Sequence, residues 1–367
     1  MIYYLIYIPF ILSSFLDIPN FSLKFRQKLC WIWVIILTLF WGLRWRCGTD
    51  WYNFFDYYQW SHLNNVFTFD RGMGEPLEWG FVLLNAIFHD LGLSYTIFLL
   101  FFSFAILALF AKFCISNLDY PLIGFVFIIA TMAPIFPTRQ ALALGIICLG
   151  YKYINQTSWR SFFKFAILVL IASFIHTSAL LAIIVYFIPK IKLNMYLALS
   201  LLIGSMFIGN FLSSFFEYVI NKFTFLGSIV LIRLSTYTNQ ETSSVGEGVF
   251  DRGIMSYMLS LFYFFLFVYR KYNRSIFQNF RGTFNCYTVK EVIRNIFSQT
   301  MQDMSRLGNY FLPSVYWGTI EVFVSFETST RKYICVRLLF NALMFYFFYR
   351  QLNGVYVHEY LPYNSIL

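Results

Sequence analysis

The sequence predicts an all-α, polytopic membrane protein, and three observations carry that prediction. Only 12% of the 367 residues are charged, against 59% hydrophobic and 23% aromatic. A soluble domain carries about 25% charged residues, and half that share cannot cover a globular surface. Uncharged apolar runs recur at 1–16, 29–43, 91–111, 120–138, 165–189, 193–216 and 253–269, with shorter ones at 140–151, 307–320 and 338–349. A span needs about 20 apolar residues, and an isolated apolar segment satisfies its backbone in lipid only as a helix. Lys and Arg also sort between the ends of these runs. Together they predict one integral membrane domain over 1–367 with about 10–12 transmembrane helices and two sizeable external loops.

Met1–Ser14 lacks a basic leader and a small-residue cleavage site, so it reads as a retained first span. Lys24, Arg26 and Lys28 then set the cytoplasmic side. Alternation puts Lys112, Lys152, Arg160, Lys164, Lys190, Lys192, Arg270, Lys271, Arg274, Arg281, Arg331 and Lys332 on that side too, with Asp17, Asp119 and Glu327 as its acids. The net charge of +10 is therefore a topology signal. No basic helix, zinc-finger spacing or stacking-strand motif supports a nucleic-acid partner. The external loops fall at about 44–78, continuing as a half-buried helix to 92, and at 212–252. The stretch 160–189 is basic at both ends and reads as a hairpin of short helices turning near His176, or else as one tilted span. The segment 283–303 is amphipathic at best, and its hydropathy shows no crossing. Six scattered cysteines without a C-x-x-C pair form neither a disulfide framework nor a metal site. Without a P-loop, a His-Glu-x-x-His or a Gly-x-Ser-x-Gly, phosphate-cradle ATPases, zincins and serine hydrolases are set aside.

Ionisable groups at membrane depth are costly, so each one is a candidate for function. Arg44-Trp45-Arg46-Cys47-Gly48-Thr49-Asp50 closes the second span. The fork of Arg46 suits phosphate oxygens, and Asp50 could orient it or bind a sugar hydroxyl, while an Arg at a helix end also serves as a snorkelling anchor. Glu75 and Glu78 flank Pro76 and Leu77 ahead of an apolar helix, where acids cap the dipole or act as a general base or hydroxyl ligand. In Pro137-Thr138-Arg139-Gln140 a helix starts with Thr138 as its cap, which leaves Arg139 beside the positive end of the dipole. That arrangement is unfavourable unless an anion joins them, and a pyrophosphate would suit the place. His176 sits inside an uncharged run, as a satisfied structural histidine or a functional one. His62, His89 and His358 receive no such role. Arg233, Arg252 and Arg306 are weaker candidates on the same outer face.

The Gly48-Thr49-Asp50 motif after Arg46, Glu75-Pro76, Arg139-Gln140, His176-Thr177-Ser178 and Arg306-Leu307 with Tyr310-Phe311 resemble the EpsG-like branch of the Wzy-type polysaccharide polymerases, over roughly 1–325. The resemblance implies a GT-C-like helical glycosyltransferase on the outer face of the bacterial cytoplasmic membrane. It would polymerise undecaprenyl-pyrophosphate-linked O-antigen or capsular repeat units. Arg46, Arg139 and Gln140, with Arg233, Arg252 and Arg306, would hold the sugar and the departing pyrophosphate. His176 would be the base, with Asp50 and Glu75 next. No cofactor or metal is required, since no carboxylate pair shows ligand spacing, and a chain-length regulator is the implied partner. An O-antigen ligase using the same arginines and a flippase for the same lipid-linked unit stand as alternatives. The flippase would need midplane charges and internal repeats, and neither is visible.

Overall fold

A computed structural model describes residues 1–70, 76–132, 135–154, 156–222, 254–272, 280–297, 306–327, 330–354 and 356–366. The helices, in order, are α1 (Ile2–Leu12), α2 (Leu23–Gly42), α3 (Trp51–Trp60), α4 (Trp79–Asp90), α5 (Tyr95–Asn117), α6 (Pro121–Thr131), α7 (Arg139–Cys148), α8 (Tyr151–Ile154), α9 (Trp159–Ile175), α10 (Met195–Lys222), α11 (Ile254–Tyr272), α12 (Phe280–Phe297), α13 (Leu312–Ser325), α14 (Thr330–Leu352) and α15 (Val357–Tyr360). Four of them open on a hydroxyl that accepts a first-turn amide: Ser22 from Phe25, Ser94 from Ile97, Thr138 from Ala141 and Ser158 from Ser161. Among the described residues there are two isolated β-bridges and no strand. Among the described residues two helices, Tyr95–Asn117 and Arg331–Leu352, are long and apolar enough to cross a bilayer by length and composition.

Contacts group the chain into two compact units, Met1–Ile183 with Thr319–Leu367, and Ile184–Gly318, where hydropathy alone reads one domain. In the first, α2 lies along α5. A Cβ on Gly42 would stand 2.7 Å from the Leu100 Cα, so only glycine permits that approach. Four segments meet at one buried ionic node. Arg26 pairs with Asp17 at 3.0 Å and donates to the Asp119 carbonyl at 2.8 Å, while Asp17 accepts the Ile123 amide at 2.9 Å. Arg337, 1% exposed, grips Glu327 and donates to the carbonyls of Ser14 and Asp17. Of the three acids expected on the cytoplasmic side, Asp17 and Glu327 give this node their carboxylates and Asp119 gives its backbone carbonyl.

Three expectations are sharpened here. The 160–189 stretch is two arms: α9 stops at His176, whose backbone is extended (φ −153°, ψ 112°), and a 3-10 segment, Thr177–Tyr186, follows. The loop expected from 212 begins inside α10, which runs to Lys222 because no Gly or Pro interrupts Asn210 to Lys222; residues 223–252 lie outside the described ones. The polar 283–303 segment contains α12, an interior helix of the second unit. Its Thr283, Asn285, Thr288, Glu291 and Asn295 are buried. Asn285 donates to the Ile188 and Ile191 carbonyls, Asn295 to Leu202 and Ser205, and Ser260 donates to Glu291 at 2.7 Å. Hydropathy misses such a helix because its polar side chains face protein groups instead of lipid.

Breaking a buried pair strands its partner, at a cost of about 3–5 kcal/mol. Arg337→Met should therefore lower the stability of the detergent-solubilised protein by about that amount, read from denaturant or thermal unfolding; an unchanged midpoint would remove the node's structural role.

Candidate functional site

The polar convergence in the first unit is centred on Glu78. This residue holds the N-cap position of α4 in an extended conformation (φ −61°, ψ 122°), yet its side chain does not cap its own helix. It reaches instead to the break after α9. Oε1 accepts the His176 Nδ1 hydrogen bond at 3.1 Å, the Thr177 amide at 3.1 Å and the Thr177 hydroxyl at 3.5 Å, while Oε2 takes Nη1 of Arg139. The break creates the need for this acceptor. Where a helix stops, amides beyond it lose their intrahelical carbonyls, and the Thr177 amide finds the Glu78 carboxylate. The His176 amide still closes the last turn on Ala172.

Glycine sets the approach of the two helices. A Cβ on Gly80 would stand 2.6 Å from the Phe174 carbonyl oxygen, a backbone atom that cannot give way cheaply. Trp79 packs on Phe174 at 4.4 Å between centroids, and the Arg139 guanidinium lies over Phe81 at 5.5 Å. All three polar side chains are partly accessible, with 16% of Glu78, 15% of Arg139 and 28% of His176 exposed. Burial alone would raise the Glu78 carboxyl. The His176 hydrogen bond, the Arg139 charge and the Thr177 amide outweigh it and hold the group at about 2, below its ordinary 4.5.

The anion that sequence reasoning required beside Arg139 is thus present within the protein itself. Thr138 caps α7 as expected, and Arg139 and Gln140 open the helix. Of the expected site residues, the structure brings Arg139 and His176 together, through Glu78. Glu75, Arg233 and Arg252 lie outside the described residues. Arg306 opens the 3-10 turn Arg306–Phe311 in the second unit, ahead of α13.

The Arg46 motif is built differently from its neighbour Arg44. Arg44 is buried, donating to the Trp41 and Cys47 carbonyls and stacking on Phe136 at 4.6 Å, which makes it structural. Arg46 is exposed and sits in the left-handed region (φ +50°). Gly48 (φ +107°) abuts Phe136, where a Cβ would come within 2.8 Å. The loop carrying Thr49 and Asp50 is strapped from behind by the end of the chain. The Gly48 amide donates to Glu359 at 2.7 Å, the Trp45 amide to Asn364 at 2.9 Å and the Ile366 amide to Leu43 at 3.0 Å. Tyr360 packs against Phe136, 5.8 Å between centroids, which ties this loop to the turn ahead of Arg139.

In the sequence the two acids read alike, as caps or as a base or hydroxyl ligand, and Glu75 is the one named for the catalytic role. The available signal was position: Glu78 directly precedes the first helical residue, so it is held by the helix start. Thr177 enters the sequence reading only within the His176-Thr177-Ser178 motif, and Gly80 and the C-terminal strap carried no local signal.

Comparison with known protein families matches the EpsG family over residues 27–365. No curated protein and no solved structure matches the chain. The match runs past residue 325, where the resemblance read from the motifs ends, and reaches the C-terminal strap as far as residue 365.

Two outcomes follow from the site geometry. Gly80→Ala should destabilise by about 1–3 kcal/mol through overpacking, where an ordinary helical Gly→Ala stabilises; a raised melting temperature would mean that α4 and α9 separate freely. Because the folded Glu78 pKa is depressed, its stabilisation is complete above pH 4.5 and is lost as pH falls toward about 2. The stability gap between wild type and Glu78→Gln should close across that window, and a gap constant with pH would contradict the ionised pairing.

Proposed function

The chain belongs to the EpsG family, and from its site we propose that it is a membrane glycosyltransferase that polymerises lipid-linked saccharide repeat units. The single observation that carries this reading is the shared Glu78 carboxylate, bonded to His176 Nδ1 on one oxygen and to Arg139 on the other.

Such a pairing orients an imidazole. With Nδ1–H donated to a carboxylate, the lone pair stands on Nε2, where it can take the proton of an acceptor hydroxyl. The carboxylate also stabilises the imidazolium that forms. Breaking an anomeric bond to a lipid pyrophosphate releases negative charge, and Arg139 at the head of α7 adds a guanidinium to the helix dipole where that charge develops. Glu78 holds the guanidinium in position between turnovers. Gln140, next on α7, and Arg46 and Asp50, on the loop tied to the Arg139 turn through Tyr360, supply further donors and acceptors for phosphate and sugar. Arg233, Arg252, Arg306 and Glu75 complete the set of proposed contacts. The reading places the reaction on the outer face of a bacterial cytoplasmic membrane, with undecaprenyl-pyrophosphate-linked O-antigen or capsular units as substrate and a chain-length regulator as partner.

Deleting the gene should leave single repeat units on lipid A or its equivalent, with no ladder of longer chains. Complete loss of the glycan from lipid A would point to a ligase. Transbilayer movement of labelled lipid-linked units by the purified protein, without lengthening, would point to a flippase. His176→Ala should slow chain extension about 10²–10⁴-fold, the usual worth of a general base, with insertion intact. Arg139→Lys should also fail, because a point charge cannot reproduce the fork. Normal chain length in both variants would dismiss the roles assigned to them.

A further inference from the structure

A second cluster of chemistry-bearing side chains lies at the other end of α4. The loop after α3 presents His62, and the last two residues of α4 are His89 and Asp90. Asp90 Oδ1 receives Nδ1 of His62 at 2.8 Å and Nδ1 of His89 at 3.3 Å. The two imidazoles meet edge to face, 4.6 Å between centroids. The arrangement is built, not incidental. Asp90 Oδ2 accepts the Leu63 amide at 2.8 Å, the His62 amide donates to Asn65 Oδ1 at 2.9 Å, and Asn65 in turn donates to the Trp60 carbonyl at 2.9 Å. Tyr58 packs on the His89 ring at 5.5 Å and donates to the Leu93 carbonyl. His62 and Asp90 are therefore held in register by backbone amides and His89 by the Tyr58 ring.

We propose that His62, His89 and Asp90 form a binding site for a borderline divalent transition metal, with Zn²⁺ as its natural class. The donors fit. One ligand atom from each of the three residues lies within 4.8 Å of the other two. Zn–N and Zn–O bonds of about 2.0–2.2 Å at tetrahedral angles set donor atoms about 3.3–3.5 Å apart, and the His–Asp separations of 2.8 and 3.3 Å need only small side-chain rotations to reach that. Two imidazoles and one carboxylate are a nitrogen-rich set that suits zinc, copper, nickel or iron over calcium or magnesium. The side chains remain open to solvent, with 45% of His62 and 28% of His89 and Asp90 exposed, so an ion has an entry path and the remaining coordination position can take water. Binding needs each imidazole to be neutral with its Nδ1 lone pair free, a tautomer change that places the ring proton on Nε2.

A metal there would clamp the loop following α3 to the C-terminal end of α4. The 12 residues of α4 span about 18 Å, and Glu78 holds the N-cap position at the opposite end. The clamp is independent of the glycosyltransferase reading, because it predicts binding and stability and not turnover.

The test uses the full-length protein in detergent, purified through a histidine-free tag and stripped with chelator. Zn²⁺ should bind at one per chain and raise the melting temperature. His62→Gln and His89→Gln should each weaken binding by more than the roughly 10–100-fold that loss of an outer-shell partner costs, and should abolish the thermal shift. His358→Gln should retain both. Each variant is melted first without metal, so that a folded variant that ignores Zn²⁺ is distinguished from an unfolded one. Co²⁺ binding by the wild type, with a tetrahedral absorption spectrum lost in His89→Gln, is a second readout. No Zn²⁺ shift in the wild type, or an undiminished one in both His62→Gln and His89→Gln, would overturn the proposal and leave the cluster as a hydrogen-bonded joint.

Discussion

A carboxylate half-withdrawn from water must be satisfied on both oxygens, and Glu78 meets that demand by drawing three separate segments to one point. The cost of leaving it unpaired is of the same order as the stability of a small domain's weakest elements, since a single hydrogen bond to a charged group contributes about 1.5–3 kcal/mol. Each donor is available for a local reason. Arg139 is projected by a capped helix start, Thr177 presents an amide orphaned by a helix break, and His176 is the residue at that break. The break, the cap and the acid are thus one unit. Removing any of them leaves the others with an unmet charge or amide, which is the condition under which effects become non-additive. The same arrangement gives preorganisation: the groups that would act on a substrate are already oriented before it arrives.

Other buried polar groups serve structure instead. The Asp17–Arg26–Arg337–Glu327 node joins the end of α1, the start of α2, the start of α6 and α14 within the first unit. Helix α12 does the equivalent inside the second unit with uncharged amides and hydroxyls together with Glu291. These groups are less exposed than the Glu78 cluster: Arg337 and Asp17 are 1% and 0% exposed, whereas a quarter or more of His176 is open. Accessibility, more than charge, separates the polar groups that hold the fold from those placed to meet a ligand.

The end of the chain contributes through the backbone. Residues 359–366 hydrogen-bond to the loop that carries Gly48, Thr49 and Asp50, and Tyr3 of α1 donates to the Tyr360 carbonyl at 2.8 Å beneath it. The loop therefore has its conformation imposed by residues more than 300 positions away. That is the condition for a left-handed Arg46 to persist, because a non-glycine residue in that region needs its surroundings to hold it.

Composition and apolar spacing alone determined that the chain is helical and inserted in a membrane, because the cost of bare backbone in lipid admits few other solutions for uncharged runs of this length. They also located the helix break at His176 and the cap at Thr138, since proline, hydroxyl and isolated polar residues act locally. What local rules do not contain is who meets whom. Glu75 and Glu78 look alike in sequence, and the close passage of α4 against α9 at Gly80 is what brings His176 and Thr177 to Glu78. The polar helix α12 was illegible for the same reason: hydropathy scores a side chain against lipid, whereas its amides and carboxylate face other helices. Pairing across long separations is settled by packing, where a single missing Cβ or a carbonyl in reach decides which of several equivalent residues carries the charge.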